Sequence, residues 1–211
     1  MDSGSPNSAS DLSLERRIYR QSLVILWIAL LLSWLPQDAR GAQSSTEEYQ
    51  VKAAFLFHFA QFVDWPASVL NGSDPSLRLC IFEDEPRRQE LKNTLEGKSI
   101  GPLIIHVRQI NQSQEIQGCN ILFLSRDEAR HQAEILNSLR GLPVLTVGET
   151  PNFLSDGGMI RFHLDQDKVR FDINAGVADS SHIRISSQLL LLATSVILGD
   201  GSERGTSPHA H

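Results

Sequence analysis

Cysteine, methionine and basic charge are all scarce in this 211-residue chain. Its two cysteines cannot build a four-thiolate structural zinc site or a disulfide-dense miniature scaffold. Its 19 Lys+Arg are outnumbered by 25 Asp+Glu, for a net charge of -6, so no nucleic-acid partner is expected. No Gly-x-Gly-x-x-Gly follows an apolar strand, no Gly-x-Ser-x-Gly elbow occurs, and there is no phosphate-binding loop. Dinucleotide, nucleotide and serine-hydrolase chemistry therefore have no fingerprint. The sequence predicts neither an enzyme nor a cofactor. What remains, at 41% hydrophobic and 21% charged, is ordinary globular composition with enough length for one real core.

The N-terminus reads as an address. Residues 1–15 are polar and expected to be disordered, and Arg16, Arg17 and Arg20 then precede the uncharged run Ser22–Leu35. Pro36 ends that run, and Ala39-Arg40-Gly41 places small residues where a signal peptidase needs them. The run holds 14 residues, against roughly 20 for a bilayer span. A secretory signal cut near residue 41 is expected, with an uncleaved anchor as the alternative. The organisation is then a polar extension and signal peptide at 1–41, one domain at 42–199, and a polar, disordered tail at 200–211. Export makes the periplasm the predicted location. In that oxidising compartment Cys80 and Cys119 either form a bridge or stay unpaired as small buried hydrophobes.

Along the domain, residues 46–63 predict a helix capped by Thr46, with Val51, Phe55, His58, Phe59 and Phe62 on its apolar face. Trp65-Pro66 stops it. Short apolar runs follow at Leu77–Phe82, Leu103–Val107, Ile121–Leu124 and Val144–Val147. Helical patterns lie between them at Arg87–Leu95 and Asp127–Leu139, the second lined by Ala129, Ala133, Leu136 and Leu139. Continuous apolar strands alternating with helices predict an α/β fold, a mostly parallel sheet flanked by helices on both faces. Met159–Leu164 and Lys168–Ile173, joined by Asp165-Gln166-Asp167, predict a C-terminal antiparallel hairpin. Residues 184–198, apolar nearly all round, predict a buried closing helix.

Few residues invite a chemical reading. His58 has no second ligand four residues away and reads as a packing histidine. Glu83-Asp84-Glu85 after the first strand resemble a magnesium-holding acidic pocket, or a solvated loop. Asp172 and His182 could be drawn into a hydrolytic dyad, yet no serine between them is marked by glycine context. His209 and His211 lie in the polar tail. No catalytic or metal site is predicted.

Several segments carry a resemblance. EYQVKAAFLFHFAQFVDWP, LRLCIF, CNILFLS, PVLTVGE, GGMIRF and VRFDINAGVADSSHIRISSQLLLLA, in that order across residues 47 to 198, resemble the YfiR-like family. The resemblance implies an exported α/β protein without an active site. Such a protein binds the periplasmic sensor domain of an inner-membrane diguanylate cyclase, and so restrains cyclic-di-GMP synthesis and biofilm formation. It also implies a Cys80–Cys119 disulfide. A second cysteine pair that some members carry near the GGMI hairpin has no counterpart here. The densest part of the pattern, 159–174 with 184–188, places partner binding at Ile173, Asn174, Ile185 and Gln188, a polar rim about an apolar patch; the alternative is that the hairpin and last helix are simply core. A homodimer and a small ligand beyond the strand ends, near Phe82–Pro86 and Leu124–Asp127, stay open. So does a small-molecule sensor module acting on another membrane receptor.

Overall fold

The computed structural model describes residues 39–70, 75–82, 87–199 and 203–205. The expected signal region before residue 39, the acidic run 83–86 and most of the tail lie outside them. The chain opens with helix α1 (Ala39–Gln61), then β1 (Val63–Asp64), α2 (Ala67–Leu70), β2 (Ser76–Phe82) and α3 (Arg87–Leu95). Next come β3 (Ser99–Ile100), β4 (Leu103–Gln109), a 3-10 turn at Ser113–Ile116 and β5 (Ile121–Leu124). A second 3-10 turn at Arg126–Glu128 leads to α4 (Gln132–Ser138) and β6 (Leu145–Gly148). The last third holds β7 (Ile160–Asp165), β8 (Lys168–Asn174), α5 (Ala175–Ser180), β9 (Arg184–Ile185), α6 (Ser187–Leu192), β10 (Ser195–Ile197) and β11 (Glu203–Gly205).

Among the described residues nine strands form one sheet in the order β11-β10-β8-β7-β6-β5-β2-β4-β3. From β4 to β7 every neighbouring pair is parallel. Numbering β2, β4, β5, β6 and β7 as first to fifth gives the order 2-1-3-4-5 of a doubly wound sheet, whose direction of winding switches between β2 and β5. Side-chain alternation divides the core. Leu77, Leu79 and Ile81 join α1 and α3 on one face; Cys80 and Phe82 join α4 and the Ser113–Ile116 turn on the other. Helices thus cover both faces of a mostly parallel sheet, as the sequence predicts. β7 and β8 make the expected hairpin, and Gln166 and Asp167 take φ of 48° and 59°, the left-handed pair that a two-residue hairpin turn requires.

Three local expectations are corrected. Helix α1 starts at Ala39, so Thr46 lies inside it rather than capping it. Its buried face is Tyr49, Lys52, Ala53, Leu56, Phe59 and Ala60, while Val51 is 44% exposed and His58 is exposed. The phenylalanines surround the helix too evenly for spacing to define its face. Contact with Phe162 and Phe171 selects it, with Phe59 centroids 5.5 and 5.0 Å from theirs. Second, the predicted helix 127–139 shortens to α4, and Ala129 and Ala133 are exposed; Gln132, Ile135 and Leu136 face inward. Third, the closing helix over 184–198 is only six residues long. Ser186 restarts the helix by accepting the Leu189 N–H at 3.3 Å, and β-branched Val196 and Ile197 leave it to pair with Ile173 and Asn174 of β8.

Candidate functional site

The four residues expected at a partner surface fall in two places. Ile173 is a core residue, 0% exposed, flanked by Ile160 of β7 and Val196 of β10. That corrects its reading as a surface contact, because both of its strand neighbours are apolar and cover it. Asn174 is half-buried and caps α5: its Oδ1 accepts the Val177 N–H at 3.1 Å, and its Nδ2 donates to the Leu154 carbonyl at 3.4 Å. Ile185 and Gln188 sit on the following segment. β9 pairs with β1 through Val63↔Ile185 and Asp64↔Arg184, apart from the main sheet. Ile185 is half-buried and Gln188 exposed.

Spacing alone missed the residues beside them. Leu191 is 74% exposed and Leu192 67%, while Leu189 of the same short helix is 1% exposed. Four successive leucines cannot all face the core from one turn and a half of helix, and that surplus is the signal in the sequence. An open pocket of about 530 Å³ adjoins β9, lined by Asp64, Trp65, Asp179, His182 and Arg184 among others. The Trp65 indole N–H donates to the Ala60 carbonyl at 2.9 Å, which holds the ring at the end of α1.

Asp172 does not join His182. Its buried carboxylate accepts from Arg161 Nη2 at 2.6 Å and Ser195 Oγ at 2.9 Å, with His163 Nδ1 at 3.2 Å. His182 is exposed at φ 58° in the turn after α5. Ser195 Oγ donates to the aspartate, and His163 Nδ1 lies beside the same carboxylate without a hydrogen bond to it. The cluster ties β7, β8 and β10 together and leaves the carboxylate paired, as a buried charge requires. Among the described residues no three His, Cys, Asp or Glu side chains gather to hold a metal ion.

Cys80 of β2 and Cys119, just before β5, form a disulfide with Cα atoms 5.8 Å apart, both buried at 0% and 4% exposure. The bridge spans the two strands between which the winding reverses. Arg108 Nη2 lies 3.5 Å from Cys119 Sγ. Among the described residues no helix is long and apolar enough to cross a membrane.

The described residues form a doubly wound α/β domain whose sheet is stapled by a disulfide and whose short helix α6 exposes Leu191 and Leu192. The chain is a member of the YfiR/HmsC-like family, whose sequence pattern matches residues 49–194. That family is regulatory rather than catalytic, and its members are periplasmic proteins that act on diguanylate cyclases in general. Among solved structures, the ABC domain in complex with L-Trp from Streptococcus pneumonia has 11% identity and a TM-score of 0.45. The match covers 58% of this chain and just over half, 55%, of that one.

Proposed function

We propose that this protein is a periplasmic repressor: it binds the sensor domain of an inner-membrane diguanylate cyclase and lowers cyclic-di-GMP synthesis, and biofilm formation with it. Membership of the YfiR/HmsC-like family supplies the class of partner. The observation that carries the placement is the exposure of Leu191 and Leu192, at 74% and 67%, one turn beyond Gln188. Ile185 and Gln188 form the rest of the surface, and Asn174 and Ile173 hold the strand and helix behind it. A regulator without chemistry shifts its receptor only by binding the receptor's two states unequally. Moving a cyclase from almost wholly active to almost wholly silent takes about 5.5 kcal/mol of differential affinity. Burying a leucine contributes about 1.5–3 kcal/mol, so the pair supplies a large share of what is needed.

Deleting the gene should raise cyclic-di-GMP, and pull-down from membranes should recover a sensor cyclase. Leu191→Glu and Leu192→Glu, with circular dichroism and melting unchanged, should lose both capture and repression. Folded variants that repress fully would move the interface elsewhere. Cyclic-di-GMP that stays unchanged on deletion would end the repressor reading. The pocket beside Trp65 and Arg184 favours one second reading, a small-molecule sensor module for another membrane receptor; the same pull-down discriminates, since the captured receptor would then carry no cyclase domain.

A further inference from the structure

A separate cavity of about 370 Å³ lies between α4 and α5, at the end of the sheet where β6 begins. Its walls are Leu136, Leu139, Met159 and Val177, and its lining contains no aspartate or glutamate. Arg140 is the one charged residue in that lining. Its side chain is exposed and makes no hydrogen bond or ion pair with any described residue. Two hydroxyls deeper in the cavity are also uncommitted as donors. Thr146, 2% exposed, accepts the Met159 N–H at 3.0 Å through Oγ1, which leaves its own proton free. Ser181, also 2% exposed, lines the cavity with a hydroxyl that has no partner among the described residues.

The volume is that of a small-ligand site, and buried polar groups are ordinarily hydrogen-bonded, so unspent donors in such a place point to what fills it. An unpaired guanidinium with hydroxyl donors matches a carboxylate, the apolar walls match a hydrocarbon or aromatic body, and the missing acids leave nothing to hold an amine. We propose that this cavity binds a small monocarboxylic acid with an apolar body, its carboxylate on Arg140 and the Thr146 and Ser181 hydroxyls. The site lies at the opposite end of the sheet from the strand ends where open α/β sheets usually bind ligands.

Octanoate, octan-1-ol and octylamine are suitable probes, titrated calorimetrically into the intact protein at fixed ionic strength. Octanoate should bind saturably at one site, with the alcohol and the amine weaker by about tenfold or more. Arg140→Met, at an exposed position that leaves the melting temperature unchanged, should weaken octanoate by a similar factor. Amide chemical-shift changes in the wild-type protein should centre on Thr146, Met159, Val177 and Ser181. Absence of saturation in the millimolar range, octanol binding as well as octanoate, an unaffected Arg140→Met variant, or shifts centred elsewhere would each overturn the proposal.

Discussion

Lys52 Nζ lies 2.5 Å from Glu149 Oε1, and neither side chain is more than 4% exposed. Glu48, one turn earlier on α1, also pairs with Lys52, and the Tyr49 hydroxyl donates to Glu149 Oε2 at 3.3 Å. The long helix is therefore fastened to the end of β6 by charge as well as by its apolar face. Removing one member strands the other in a low-dielectric site. Lys52→Met should destabilise by about 3–5 kcal/mol in urea unfolding, and Lys52→Met with Glu149→Leu should recover most of that loss. A double variant as unstable as the single would mean that the pair, not its desolvation, sets the stability.

Phe153 lies between two glycines. A β-carbon on Gly148 would overlap one edge of its ring, and one on Gly158 the other. Gly158→Ala should therefore cost about 1–3 kcal/mol by overpacking. Adding Phe153→Leu should offset part of it, so that the two changes combine non-additively in thermal melts. Simple additivity would show that the contact is relieved by a small shift of the 149–157 segment.

The disulfide closes a loop with a sequence separation of 39 residues. Cys80→Ser and Cys119→Ser should each lose about 2–5 kcal/mol, and the double variant should be no worse than either. Non-reducing peptide mapping of periplasmic protein should find one linked pair and no alkylatable thiol.

Glu96 provides a pH test. Burial pushes its carboxyl up, but the Val107 N–H at 2.7 Å, His106 at 3.1 Å and Lys92 outweigh it and hold it below the usual carboxylate range. A lowered folded-state value stabilises the protein at pH above the ordinary carboxylate value of about 4.3, and that stabilisation fades as pH falls through the lowered value. The stability gap between wild type and Glu96→Gln should therefore be present at pH 7 and shrink toward zero as the pH falls below the carboxylate range. A gap that holds constant across that range would assign the effect to packing.

Much of the sheet is legible in the sequence because its strands are brief, mainly apolar runs closed off by turn residues, as at Leu77–Phe82, broken only by Arg78, and Ile121–Leu124. The hairpin announces itself through Asp165-Gln166-Asp167. The face of α1 does not, since aromatic residues occupy both sides of it and Lys52, besides its local partner Glu48, meets Glu149 from far along the chain. Residues 184–198 mislead for a related reason. Their leucines favour a helix locally, whereas Val196 and Ile197 become a strand by pairing with β8 and β11, and such pairing leaves no periodic trace. Ile173 looked available to a partner for the same reason: the strand that covers it lies in the stretch read as helix. At the proposed docking surface, composition revealed an apolar segment, but only the fold shows that Leu191 and Leu192 point outward.

The staple between Cys80 and Cys119 encloses the whole β4 excursion, including α3 and both of its connections to the sheet. A peptidase that cuts the backbone once anywhere between these cysteines separates no fragment: both halves stay joined covalently, and the strands on either side of the winding reversal keep their registration. For a protein working among extracytoplasmic peptidases, such a cut is a scar rather than an end, and the nicked molecule would migrate as two pieces only after reduction.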